Sequence, residues 1–266
     1  MVYDKITVLQ RSDFVAKIIA VANQKGGVGK TTTAVNLSSA LAQKNKKVLV
    51  VDVDPQGNTT SGLGIEKHSV ENTVYDILVN DVDVEKAIMD VKYFNMKIIP
   101  SNVDLAGAEI ELVGTDKREY ILRAALNKVR DKFDYIIVDC PPSLGLVTVN
   151  ALSAVDSVII PVQCEYYALE GIAQLTKTIN LIKKAYNPEI EIEGVLMTMF
   201  NGRTNLSIQV VEEVRKVFGT KVYKTRIPRN VRLSEAPGFG EPINVFDKHS
   251  TGALAYEKLA EEVLER

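Results

Sequence analysis

From about residue 17 to the C-terminus, short apolar runs alternate with longer stretches in which apolar residues recur at helical spacing. That alternation is the pattern of an α/β fold, and it predicts a mainly parallel, twisted β-sheet of about seven or eight strands flanked by helices on both faces. The runs that read as strands are Lys17 to Ala22, Lys47 to Val53, Met96 to Pro100, Asp134 to Asp139, Ser157 to Val162, Ile192 to Met199 and Lys221 to Arg226. Thr32 to Gln43 and Glu170 to Ala185 read as helices, the second on the spacing of Leu169, Ile172, Ala173, Leu175, Ile179 and Ile182. Three segments bearing proline or glycine, Asp54 to Gly64, Pro141 to Gly145 and Ala236 to Pro242, read as surface loops with functional potential. No linker, repeat or low-complexity tract divides the chain, so residues 17–266 are expected to form a single domain behind an N-terminal arm, residues 1–16, to which no role is given.

Composition narrows the class. Hydrophobic residues at 46% and charged residues at 25% are close to globular averages and argue against disorder or a fibrous repeat. Cys140 and Cys164 belong to no C-x-x-C pair, which leaves a disulfide framework or structural zinc site without support and favours a reducing cytosol. The apolar runs are far shorter than the roughly 20 residues that cross a bilayer, and residues 1–16 lack the apolar core of a signal peptide. A net charge of −2 gives no global attraction to nucleic acid, so binding of that kind would need a local patch.

The chemistry concentrates after three of the strands. Gly26, Gly27 and Gly29 lie between a strand and a helix, where backbone N–H groups approach a phosphate closely and the helix N-terminus favours an anion. Lys30 then supplies a cation to terminal phosphates, and Thr31 a hydroxyl to Mg²⁺. The loop departs from G-x-x-x-x-G-K-[ST] because Gln24 holds the first glycine position, and it carries a second lysine, Lys25. Asp52 and Asp54, two residues apart at the end of V-L-V-V-D-V-D, are expected on one face of an extended chain, where either orients water or holds magnesium. Asp139 closes D-Y-I-I-V-D, the position of an acid that holds a magnesium ion in a phosphate-transfer site.

The motifs K-G-G-V-G-K-T-T, D-V-D-P-Q-G-N, D-C-P-P-S-L-G, P-V-Q-C-E-Y-Y-A-L-E-G and I-P-R-N-V-R-L-S-E-A-P, in this order, resemble the chromosomal ParA/Soj partition ATPases of the deviant Walker A class of P-loop NTPases. The resemblance runs from about Lys17 to the C-terminus. It implies that ATP and Mg²⁺ are bound by Lys25, Gly26, Gly27, Val28, Gly29, Lys30, Thr31 and Thr32. Lys25 matches the lysine that reaches across a homodimer to the partner's phosphates, and Gly26 lies where the two phosphate loops meet. By the same carry-over Lys30 binds the β- and γ-phosphates, Thr31 ligates the metal, Asp139 holds one of its waters, Asp52 lies close to it, and Asp54 positions the hydrolytic water. Pro228, Arg229 and Asn230 lie in the segment that passes near the base.

Between Arg203 and Arg232 eight basic residues face only Glu212 and Glu213, a local excess of six positive charges. Such a cluster neutralises phosphates without reading bases. The resemblance implies non-specific double-stranded DNA binding, with Arg203 and Arg232 matching the family's DNA-contacting arginines and Lys216, Lys221 and Lys224 as further candidates. It also implies a ParB-type centromere-bound partner, the replication initiator DnaA as a further client, and a cytoplasmic, nucleoid-associated location. Three readings are the rivals: a nucleoid-binding structural protein that uses ATP only to hold its dimer together, against which the intact Asp54 and Asp139 argue, and two related ATPase types. A MinD-like ATPase binds membrane through a C-terminal amphipathic helix, but here that segment carries four glutamates against one lysine and one arginine, the wrong sign for an anionic membrane surface. A nitrogenase iron protein holds a cluster between subunits, and neither cysteine here carries that family's surrounding motif.

Overall fold

The computed structural model describes residues 15–166 and 168–266, so nearly all of the expected N-terminal arm lies outside the described residues. Eight strands form one sheet: β1 (Lys17–Val21), β2 (Val48–Asp52), β3 (Met89–Asp90), β4 (Met96–Ile99), β5 (Tyr135–Asp139), β6 (Ser157–Gln163), β7 (Glu191–Phe200) and β8 (Val222–Pro228). Their order is β3-β4-β2-β5-β1-β6-β7-β8, and every pair is parallel except β3 with β4. All seven expected strands are present with ends shifted by a residue or two. The eighth, β3, is a two-residue edge strand, too short to carry a periodic signal.

Alternate residues of the central strands enter two separate cores. Ile18 and Ala20 of β1 pack with Leu122, Val147, Ile172 and Val211 on one face, whereas Ile19 and Val21 pack with Leu37, Leu41, Tyr256 and Leu259 on the other. The second face is covered by the Lys30–Gln43 and Thr251–Leu264 helices. In the Ala168–Ala185 helix the buried stripe is Ile172, Leu175, Ile179 and Ile182, while Leu169 and Ala173, counted in that stripe from the sequence, are exposed. The helix needs only one narrow face against the sheet.

Two features of the sheet bear on the site. Pro161 stands inside β6, an interior strand, where a missing N–H would ordinarily break a ladder. Its carbonyl faces the β1 side, where β1 has already ended at Val21 and Asn23 Nδ2 donates to that carbonyl at 2.7 Å. This bond ties the start of the glycine-rich loop to β6. At the outer edge, Glu262 of the C-terminal helix accepts the N–H groups of Lys224 and Thr225 at 2.9 and 2.7 Å. That carboxylate blocks an edge otherwise open to another strand.

Because β2, β5 and β1 are neighbours, their carboxyl ends bring the Asp52–Asp54 segment, Asp139 and the glycine-rich loop to one crevice, as parallel α/β sheets do. The segment Asp54 to Gly64 departs from the expected surface loop. It contains the short Asn58–Gly62 helix, with Thr59 and Thr60 fully buried. Gly64 then meets Gly240, both at positive φ, 79° and 65°. A Cβ on Gly240 would lie 2.6 Å from the Gly64 Cα. Gly240→Ala is therefore expected to destabilise the fold by more than about 1 kcal/mol in urea unfolding; unchanged stability would contradict this backbone contact.

Candidate active site

The glycine-rich loop turns on Gly27 at φ 73° and Gly29 at φ 90°, a left-handed region open to glycine. Gly29 caps the Lys30–Gln43 helix without a side-chain hydrogen bond, so the first N–H groups of that helix remain available to an anion. Asn23 Oδ1 accepts the Lys25 N–H at 3.0 Å, and the buried Val28 carbonyl accepts from Thr198 Oγ1 at 2.8 Å. These two bonds fix the loop from both sides. Val28 thus anchors the loop through its backbone, while Gly26, Gly27, Gly29, Lys30, Thr31 and Thr32 line a cleft of about 560 Å³ with Asp54 opposite.

The two lysines part. Lys30 is 7% exposed, and its Nζ donates to the Lys25 carbonyl at 3.1 Å. Burial pushes its pKa down, against the pull of Asp139, Cys140 and Asp54. Lys25 is not among the residues lining the cleft; its Nζ lies 2.9 Å from Glu165 Oε2, with the two side chains 41% and 46% exposed. An ion pair this open is worth at most about 1 kcal/mol.

The acids occupy different environments. Asp54 lines the cleft, and its Oδ1 accepts the Gln56 N–H at 2.9 Å. Asp52 is fully buried and does not line the cleft, contrary to the expectation that the two acids would act from one face, because the chain leaves β2 after Asp52. Its Oδ1 takes the Asp54 N–H at 3.2 Å, and its Oδ2 takes the N–H and hydroxyl of Thr60 at 2.9 and 2.7 Å. With both oxygens engaged, Asp52 anchors the loop instead of offering a free metal ligand. Asp139, paired with Asp52 across β5 and β2, accepts the Thr31 and Thr59 hydroxyls on Oδ2 at 2.8 and 2.7 Å. Its Oδ1 is buried and has no hydrogen-bond partner among the described residues.

This orphaned oxygen beside the Thr31 hydroxyl suits a hydrated divalent cation of the magnesium type. Among the described residues no cluster of three or more His, Cys, Asp or Glu side chains forms a cage, so a cation here would draw its other ligands from phosphates and water. Thr59 and Thr60 were not singled out from the sequence; their signal, two threonines after D-P-Q-G-N, gains meaning only when the fold sets them against the acids.

A second, smaller cleft of about 230 Å³ continues from the first through Gly29, Thr32 and Met199, and Pro228, Arg229 and Asn230 line it. The Asn230 side chain is spent on structure, accepting the Arg232 N–H at 2.8 Å and donating to Thr251 at 2.7 Å. A larger cleft of about 840 Å³ lies between β8 and the C-terminal helix, but it has no glycine-rich loop and lacks the acids described above.

The basic cluster is not one patch. Helix Asn205–Phe218 runs back from the carboxyl end of β7 to the start of β8, which puts Lys216 and Lys221 at the opposite end of the sheet from Arg203 and Arg232. Lys216 pairs with Glu213, Lys221 with Glu191, and Arg232 with Glu235 and Asp247. Arg203 and Lys224 are exposed and form no ion pair among the described residues. Cys140 and Cys164 are both buried, and burial pushes both thiols up, Cys164 to about 11.

The parallel sheet, the glycine-rich strand-to-helix turn and the acids at adjacent strand ends define a P-loop ATPase. A family model described as an AAA domain matches residues 16–192. The sporulation initiation inhibitor protein Soj of Bacillus subtilis is 62% identical over 247 residues, covering 93% of this chain and 98% of that protein. The chromosome partitioning protein ParA of Myxococcus xanthus is 52% identical over 252 residues, covering 95% and 89%. The crystal structure of cobyrinic acid a,c-diamide synthase from Mycobacterium smegmatis with bound ADP and magnesium superposes with a TM-score of 0.83 at 38% identity, covering 94% of each chain. The chain belongs to the ParA/Soj family of chromosome-partitioning ATPases.

Burial raises Asp52 to about 6 and Asp139 to about 7, each also pushed up by a neighbouring acid. A carboxyl raised in the folded state binds more protons there than in the unfolded chain, so its contribution to stability is present at low pH and is lost as pH rises through 6 to 7. In protein free of nucleotide and divalent cation, stability should fall from pH 5 to pH 8, and Asp139→Asn should flatten that fall. Parallel pH profiles for parent and variant in urea unfolding would contradict the burial of an ionising pair.

Proposed function

We propose that this ATPase is a nucleotide-gated DNA clamp: ATP closes a homodimer, the dimer holds double-stranded DNA without reading its sequence, and hydrolysis releases it. ATP and Mg²⁺ are its nucleotide and metal. Lys30 and the loop N–H groups hold the terminal phosphates. Thr31 and Asp139 hold the cation, which offsets phosphate charge when bound, and Asp54, pinned by the Gln56 N–H, orients the attacking water. Pro228 and Arg229 flank the base, with Asn230 setting the turn that places them.

The observation that carries this reading is the divergence of Lys25 from Lys30. One lysine serves the protomer's own cleft, and the other stands outside it on a weak, solvent-exposed bond to Glu165. In the closed dimer Lys25 exchanges that carboxylate for the partner's phosphates, and a cation supplied in trans in this way is worth roughly 10³–10⁵ in turnover in the related arginine-finger enzymes. Closure also brings two Arg203 surfaces together, so that the second DNA contact becomes intramolecular and tightens binding. A ParB-type centromere-bound partner is the proposed activator of hydrolysis and DnaA a further client, with the protein acting on the nucleoid in the cytoplasm. A MinD-like membrane role would need a free apolar face on the C-terminal helix, whereas Tyr256, Leu259, Ala260 and Val263 are buried against the body of the fold.

Sedimentation with ADP and ATP tests the reading. A Cβ on Gly26 meets nothing within 4 Å in the protomer, so Gly26→Val should bind nucleotide normally and yet stay monomeric with ATP. Asp54→Ala should form the ATP dimer and hold it, with hydrolysis reduced at least about a hundredfold. An ATP-dependent dimer of Gly26→Val, or rapid turnover by Asp54→Ala, would count against the proposal.

A further inference from the structure

Thr59 and Thr60 are adjacent, fully buried and outside the roles described so far. Buried hydroxyls are costly unless they find partners, and a threonine within a helix commonly bonds back to its own backbone. Neither does so here. Thr60 Oγ1 donates to Asp52 Oδ2 and accepts the Ser101 N–H at 3.0 Å, which fastens the loop to β2 and to the chain after β4. Thr59 Oγ1 goes to a different acid, donating to Asp139 Oδ2 at 2.7 Å.

That oxygen also receives the Thr31 hydroxyl, so one carboxylate oxygen binds two donors from two separate segments, the glycine-rich loop and the Asp54 loop. Rotation of the carboxylate would break both bonds. The second oxygen, Oδ1, is left as the acid's remaining acceptor, buried and without a partner among the described residues.

We propose that Thr59 is a positioning residue for the divalent cation: its hydroxyl locks the Asp139 carboxylate so that Oδ1 stays available to the cation's water, and it ties the Asp54 loop to that same carboxylate. The inference rests on Thr31 and Asp139 being the metal-holding residues. It assigns the two neighbouring threonines different tasks, Thr59 serving cation binding and Thr60 the placement of Asp54.

The test is Mn²⁺ binding to the full chain with ADP, followed by electron paramagnetic resonance, together with the Mg²⁺ dependence of a fluorescent ADP analogue's affinity. Thr59→Val should raise the cation concentration for half-saturation about tenfold or more, the size of one hydrogen bond to a charged group. Thr59→Ala should do the same without the branched side chain, and Thr59→Ser should restore binding to within about threefold of the parent. Thr60→Val should keep the parent's cation requirement while slowing ATP turnover. Parent-like cation binding in Thr59→Val and Thr59→Ala, no rescue by serine, or an equal shift in Thr60→Val would each overturn the role of Thr59. A parent protein whose ADP affinity ignores the cation would instead overturn the metal assignment beneath it.

Discussion

The carboxylate of Asp139 joins three parts of the chain, and the active site depends on that junction. It ends β5, the strand lying between β2 and β1, and a single oxygen of it accepts hydroxyls from the glycine-rich loop and from the segment carrying Asp54. Low local dielectric strengthens such bonds and makes a missing one costly. Burial makes ionisation of Asp139 and Asp52 costly, and a cation held there as proposed would offset that cost. Stability and ligand binding are therefore linked through the same pair of acids.

Around this centre the groups proposed to face another molecule are held loosely. Lys30 is enclosed and fixed, whereas Lys25 rests on an exposed carboxylate that can be given up at little expense. Arg203 is likewise exposed and outside any ion pair among the described residues, while other members of the basic cluster are partly neutralised by neighbouring acids. The proposed alternation between states needs this division, with the chemistry preassembled and the intermolecular contacts weak enough to exchange.

Much of this was legible in the sequence, because largely apolar, mostly buried runs of five to seven residues announce interior parallel strands and a glycine-rich turn announces its ligand. The two-residue β3 was not legible, having no period to detect. The buried Thr59 and Thr60 were hidden for another reason: in a polar, glycine-bearing segment they look solvated, and only strand order places β2 beside β5 and gives them acids to meet. Spacing suggested that Asp52 and Asp54 act as a pair, but the strand ends between them and separates an anchor from a cleft residue. The charge excess between Arg203 and Arg232 was countable, yet a helix running the length of the sheet distributes it to opposite ends.

On the proposed reading, the nucleotide state of this site controls DNA binding at the Arg203 surface. The most direct measurement is the affinity for a random-sequence DNA duplex with ADP and with ATP, at two salt concentrations, for the parent and for Arg203→Ala. Binding is expected to require ATP, to weaken as salt rises because phosphate contacts release counterions, and to be lost in the variant. Equal affinity with ADP and ATP, or no DNA binding under any condition, would contradict that reading.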